Sequence, residues 1–270
     1  MVSRAAVRLP TGDWRSSGRQ SLKIALRVGL LLGVIALWQS AGSETERFGL
    51  PTFTRTVSAL AELILDGTLL PALFATNLAL VGGFALALAV SLPLGIAMGT
   101  TPWAERLAQP YLMMLLATPM ITLVPVIQVA FGLTLWARVV VVFVFSFIYM
   151  TVNVMTGVRS VAPGLQQMAS SFGASRTQKL RWVVLPGAVP AVMAGIRLGL
   201  GRAIIGMVVA ELTLVGAGVG SLIIEYQVRY QPGYVFAVVL ITILEGVLLL
   251  EIARRIERRF SRWDATHVLD

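Results

Sequence analysis

The sequence predicts an all-α polytopic membrane protein with six transmembrane helices, both termini cytoplasmic, and a short helical loop between helices four and five. Three observations carry that prediction. Of 270 residues, 57% are hydrophobic and 13% charged, with a mean hydropathy of +0.82, too little polar surface for a water-soluble fold. Five or six apolar segments approach the ~20 residues needed to cross ~30 Å of hydrocarbon. Basic residues divide unevenly between the two sides that those segments define.

Residues 1–21 read as a polar cytoplasmic tail with Pro10 and Gly12, 22–252 as the membrane domain, and 253–270 as a basic cytoplasmic tail. The first span covers about Leu22 to Ala41. Lys23 and Arg27 can reach the near headgroups, and Trp38 anchors the far interface. A cleaved signal peptide is the competing reading, but its small-residue cleavage pattern is weak. Within 43–74, Ala59, Leu60, Leu63 and Ile64 recur at helical spacing among acidic residues, which predicts an amphipathic helix on the outer surface.

The second span is read as Asn77–Met98, with Gly82, Gly83 and Gly95 allowing close helix approach and Pro93 a kink. The third, Ala108–Phe131, holds Pro110, Pro119 and Pro125 and must be bent or broken. The fourth, Leu135–Thr156, contains a run of valines, where length decides for helix over strand. The fifth covers Pro190–Val215 and the sixth Val235–Ile252. Arg4, Arg8, Arg15, Arg19, Arg106, Arg159, Arg176, Lys179, Arg181 and the run Arg254 to Arg262 then fall inside. Arg47, Arg55, Arg138 and Arg229 fall outside.

Composition also narrows chemistry. With no cysteine and one histidine, His267 in the tail, thiolate metal sites, cysteine nucleophiles and histidine triads are not expected. The net charge of +9 is read as membrane orientation and not as nucleic-acid binding.

The loop at 160–187 is the most specific segment. Pro163 suits the first turn of a helix running to Ser171, and Gly173 suits left-handed geometry after it. Ser175-Arg176-Thr177-Gln178 matches a capping box for a second helix that ends before Pro186, with Leu180, Val183 and Val184 on one side. Two readings fit such a basic knuckle: an amphipathic loop on anionic lipid, or a docking surface for a partner's cleft.

Gln167-Met168-Ala169, Gly173 and Val183-Val184-Leu185-Pro186 resemble the cytoplasmic signature loop of binding-protein-dependent ABC importer permeases, with Gln167 where that family carries glutamate. Further runs, from Gly49-Leu50-Pro51-Thr52 through Gly195-Ile196-Arg197-Leu198-Gly199 to Val209-Ala210-Glu211, are similar to the nitrate, sulfonate and taurine branch. The resemblance implies a prokaryotic inner-membrane transporter subunit, not an enzyme. It implies a homodimer with two cytoplasmic ATP-binding subunits and an external substrate-binding protein. The solute would be small and anionic; an aromatic acid or vitamin precursor is the alternative. Gln167, Ala169, Gly173, Ala174, Ser175, Leu180, Leu185 and Pro186 would then form the ATPase-coupling element. No phosphate-binding Gly-rich loop with Lys-Ser/Thr occurs, so no nucleotide or other cofactor is assigned to this chain.

Candidates for the pathway or gate are Glu211, Met120 and Asn153. Glu211 in the fifth span is a costly membrane carboxylate, useful either in a pathway or as a structural hydrogen-bond acceptor. Glu245 is similar, with Arg202 as a candidate partner. Asn77 and Asn153 can line a path or bond across helices. Met113, Met114, Met120, Met150 and Met155 can form an apolar constriction or pack ordinarily. Arg197 and Arg202 can attract an anion or snorkel inward. An intramembrane enzyme would need a polar catalytic set that is missing here. A channel would need a charged or carbonyl ring, and Gly216–Gly220 reads instead as a flexible outer loop.

Overall fold

The computed structural model describes residues 14–45, 49–213 and 216–260, and every regular element among them is helical. Residues 1–13 and 261–270, including His267, lie outside the described residues. The chain forms two compact units, 1–58 and 59–270.

In the first unit, α1 (Trp14–Thr45) carries an apolar stretch of membrane-spanning length, Ala25–Ser43. Near its C-terminal end it meets the chain leading into α2 (Phe53–Leu65). Trp38 Nε1 donates to the Pro51 carbonyl at 3.0 Å, and Thr54 N–H donates to Gln39 Oε1 at 3.1 Å. A Cβ on Gly42 would fall 2.7 Å from Thr52 Cα, so only glycine permits this contact.

In the second unit, α6 (Leu135–Arg159) is the packing centre, flanked by α3 (Leu69–Thr100) and α9 (Leu185–Thr213). Lipid supplies no hydrophobic drive between helices, so close van der Waals approach holds them. Gly83, Gly95 and Gly99 of α3 face Val142, Val154 and Val158, where an added Cβ would come within 2.5, 2.7 and 2.6 Å of each valine Cβ. On the other side, Gly195 and Gly206 of α9 press on Asn153 and Phe145, with the corresponding distances 2.8 and 2.7 Å. The valine run is helical, with Val141 and Val142 fully buried.

Several boundaries differ from the sequence reading. α3 starts at Leu69, not Asn77, because Leu69 and Ala72 bury with Ala59 and Leu63 of α2 and with Val219, Leu222, Ala237 and Val238. Ile64 is 48% exposed and lies off that stripe. α4 (Pro102–Ala117) starts at Pro102, where the missing N–H costs nothing. The third segment is broken: α4 and the stretch Met120–Phe131, a 3₁₀ turn Met120–Leu123 followed by α5 (Val124–Phe131), meet at 97°. Thr118 at the break is extended, as a residue before proline prefers. Among the described residues, five helices are long and apolar enough to span, or six if this bent pair counts as one.

The loop helices α7 (Pro163–Ser171) and α8 (Arg176–Lys179) form, but no helix end precedes Pro186. A π turn, Leu180–Val184, joins α8 to α9 without a break. Pro186 has no N–H for the Trp182 carbonyl, and its ring presses on that same turn. Widening the turn accommodates both. Two further helices follow, α10 (Val219–Val228) and α11 (Pro232–Phe260).

Candidate functional site

The loop is built by local chemistry. α7 closes in a Schellman motif: Ala174 N–H donates to Ala169 O and Gly173 N–H to Ser170 O, each at 3.0 Å. Gly173 takes φ +77, with nothing within 4 Å of a would-be Cβ. Ser175 and Gln178 form the capping box, with Gln178 N–H donating to Ser175 Oγ at 3.3 Å and Ser175 N–H to Gln178 Oε1 at 2.8 Å. Lys179 Nζ donates to Ser170 Oγ at 3.1 Å, tying α8 back to α7.

Burial divides the candidate coupling residues. Leu180 and Val184 pack inward beside Val158, Val161 and Ala188. Leu185 closes the π turn through the Leu180 carbonyl. Gln167, Gly173, Ser175 and Pro186 are exposed, and Ala169 and Ala174 are half-buried. The exposed apolar surface is a different set: Leu165, Met168 and Phe172 on one face of α7, with Trp182 on the π turn. Phe172 is 83% and Trp182 71% exposed. The 3-and-4 spacing of Leu165, Met168 and Phe172 was the available sequence signal for this face.

At the opposite end of the bundle, Glu211 is fully buried. Its Oε1 accepts from Thr76 Oγ1 at 2.7 Å and its Oε2 from Gly220 N–H at 3.0 Å. Thr76 Oγ1 in turn accepts from Val219 N–H at 3.0 Å. Arg138 Nη1 lies 3.8 Å from Glu211 Oε1 and donates to the Ala217 carbonyl at 3.0 Å. Residues of α3, α6, α9 and the start of α10 thus share one polar node. Gly218 (φ +100) and Gly220 admit it: their Cβ atoms would fall 2.0 Å from Glu211 Oε1 and 2.4 Å from Glu211 Cβ. Residues 218–220 are therefore the packed wall of a carboxylate site and not a flexible loop, while Gly216 is exposed. Thr76, Arg138 and Gly220 stand too far from Glu211 in sequence to be linked with it by spacing.

The remaining candidates separate. Met120 sits at the elbow between α4 and α5 and packs against two cores. Met150 and Met155 are buried, whereas Met113 and Met114 are exposed, so the five methionines form no single constriction. Asn153 Nδ2 donates within its own helix, to the Tyr149 carbonyl at 2.7 Å. Asn77 Nδ2 does bond across helices, to Glu245 Oε1 of α11. Glu245 therefore pairs with Asn77 and not with Arg202, and its Oε2 is enclosed without a hydrogen-bond partner. Arg197 is neutralised by Glu257, Nε to Oε2 2.5 Å. Arg202 instead lies over the Tyr149 ring, Cζ to centroid 4.1 Å. Among the described residues no group could hold a metal ion.

The model of the binding-protein-dependent transport system inner membrane component matches residues 91–262. The chain belongs to that family. Over 87% of both lengths, this permease is 32% identical to the Bacillus subtilis protein named as aliphatic sulfonates transport permease SsuC. It is 31% identical to the riboflavin transport system permease RibX of Chloroflexus aurantiacus, covering 90% of this chain and 91% of that one. Its fold is similar to the inward-facing MetNI methionine ABC transporter, with TM-score 0.64, 20% identity, and coverage of 73% of this chain and 98% of the other. The permease is therefore a multi-pass membrane component of a binding-protein-dependent transport system and not an enzyme.

Proposed function

We propose that this permease forms the translocation pathway of a prokaryotic inner-membrane importer for small aliphatic sulfonates such as taurine. Two copies assemble with two cytoplasmic ATP-binding subunits, and an external binding protein delivers the solute. Both termini and the 160–187 loop face the cytoplasm, in accord with the excess of basic residues on that side. One observation carries the reading: a capped, hinged knuckle exposes Leu165, Met168, Phe172 and Trp182 and runs unbroken into a spanning helix. An apolar-tipped helix pair of this kind suits a cleft on a partner. ATP-driven closure of that partner would displace the loop and with it α9, a rigid-body route to alternating access.

Glu211 and its partners would act as a lock at the far end of the same helix, and Met120 as the elbow that repositions α5. Asn153, half-buried on α6, would border the path. The test is co-purification of the ATP-binding subunits with Phe172→Asp and Gly173→Arg variants in membranes. Loss of the ATPase with normal insertion of the permease supports coupling through this knuckle. Wild-type recovery of the ATPase with both variants overturns it. Sulfonate uptake by the purified permease alone would refute the ATP-driven reading. The likeness to a riboflavin permease favours a neutral aromatic solute as the second reading. Competition of uptake by riboflavin, and not by taurine, would select it.

A further inference from the structure

Arg202 lies deep within α9. At 1.5 Å per residue it stands roughly 25 Å from Leu185 and roughly 16 Å from Thr213. Tyr149, beneath it, stands roughly 21 Å and 15 Å from the two ends of α6. Neither helix end is within reach of the guanidinium, which lies on the phenol ring instead of snorkelling outward. Arg202 is nevertheless exposed on the permease surface. Among the described residues, no carboxylate lies within 4.0 Å of it and no side chain or carbonyl takes its N–H groups. By contrast, Arg138, Arg159, Arg197, Arg229, Arg254 and Arg255 each have an acidic neighbour.

The energetics require something more at this position. An arginine deep within a span is costly, and such residues almost always face the bundle interior or a water-filled cavity. A ring on one side of the guanidinium offsets part of that cost but satisfies none of its N–H groups, so the position of Arg202 favours a cavity face over a lipid face. The Tyr149 ring, 4.1 Å from Cζ, takes none of the five N–H bonds of the guanidinium, and no side chain or carbonyl among the described residues does so either. The guanidinium edge is a fork suited to two oxygens of one anion.

The surroundings define the rest of the ligand. Arg202 lines a groove of about 560 Å³ between α9 and α11, walled by Leu198, Val208, Ile243 and Val247, where the other two lining arginines, Arg197 and Arg254, are paired with Glu257 and Glu251. Such a site matches a compact oxyanion on a short aliphatic chain. A phospholipid headgroup of the same charge resides at the interface, well short of this depth.

We propose that Arg202, supported by Tyr149, is the anion-binding point within the membrane, holding the sulfonate of an aliphatic sulfonate by two N–H···O bonds while the alkyl part lies in the α9/α11 groove. This inference rests on the sulfonate-importer reading. The test uses the complete transporter, with its ATPases and binding protein, in proteoliposomes supplied with radiolabelled taurine. Arg202→Gln should lower the uptake rate roughly 10- to 100-fold, the equivalent of a lost charge-assisted pair. Arg202→Lys should lose less, Tyr149→Leu should lose about as much as Arg202→Lys, and Tyr149→Phe should stay close to wild type. Millimolar ethanesulfonate should raise the melting temperature of the wild-type permease–ATPase complex and leave the Arg202→Gln complex unmoved, a response that a merely structural arginine would not alter.

Wild-type uptake by Arg202→Gln overturns the proposal and leaves the importer reading standing. Absence of taurine and ethanesulfonate uptake by the wild type overturns the importer reading, and the proposal with it. Phospholipid retained by the wild-type complex in native mass spectrometry and lost from Arg202→Gln, with no ethanesulfonate shift in either, would make this a lipid site and overturn the proposal. If Arg202→Gln does not assemble, Arg202→Lys carries the comparison, and an unchanged rate and shift there overturn the proposal.

Discussion

Glu211 and Arg138 stand 3.8 Å apart in the membrane region, yet each spends its hydrogen bonds elsewhere: Glu211 on Thr76 and Gly220, Arg138 on the Ala217 carbonyl. The charges compensate one another while the directional bonds pin the segment leading into α10. Removing either charge leaves the other buried without its counter-ion, which typically costs about 3–5 kcal/mol. Glu211→Ala should destabilise the purified permease on that scale in thermal unfolding. Glu211→Gln removes the same charge but keeps one acceptor oxygen, so its loss should fall at the lower end of that range and below that of Glu211→Ala.

The glycines of that site give a double-mutant test. Gly218→Ala drives a methyl into the Glu211 carboxylate and forces a side chain into a left-handed conformation. In the Glu211→Ala background the collision with the carboxylate is gone, and backbone strain of about 1–3 kcal/mol persists at φ +100, ψ −178. The coupling should therefore be non-additive. Strictly additive losses in melting experiments would remove the proposed contact.

Two neighbouring glycines should behave differently. A methyl on Gly83 meets Val142 Cβ at 2.5 Å and the Val139 carbonyl at 2.6 Å, whereas on Gly82 it meets the Val139 methyls, Cγ2 at 3.2 Å and Cγ1 at 3.9 Å. Gly83→Ala should cost about 1–3 kcal/mol and Gly82→Ala well under that. Equal stability of the two variants in detergent would contradict the packing of α3 on α6.

In the loop, the cost at Gly173 is purely conformational. Gly173→Ala should lose about 1 kcal/mol and Gly173→Asn less, since asparagine tolerates the left-handed region. Ser175→Ala should lose about 1 kcal/mol through the cap. Hydrogen exchange of the amides in 174–179 reads both losses directly. Unchanged protection in Ser175→Ala would mean that the cap does not hold α8.

Pro163, Gly173 and the Ser175–Gln178 box act within a few residues of chain, so spacing alone revealed them. The prolines likewise announced the break near Thr118. Pro186 misled because a π turn lets the helix absorb it, an effect that depends on how neighbouring side chains pack. The node at Glu211 joins residues 135 apart, Thr76 among them, and only the fold brings them together. Arg202 stands out in the sequence as an arginine within a span, but its bed on Tyr149 joins two helices that no periodicity pairs.

The π turn has a mechanical consequence. From Arg176 to Thr213 the chain is one uninterrupted rod of 38 residues, roughly 57 Å at the α-helical rise. Ser175 sits at one tip, and the Glu211 site near the other. No non-helical linker separates Trp182 from Glu211, so under the proposed coupling a tilt applied at the knuckle would pass along continuous helix. The wide turn would add some compliance without disconnection, and in the proposed importer the rod would act as a lever whose short arm is the loop.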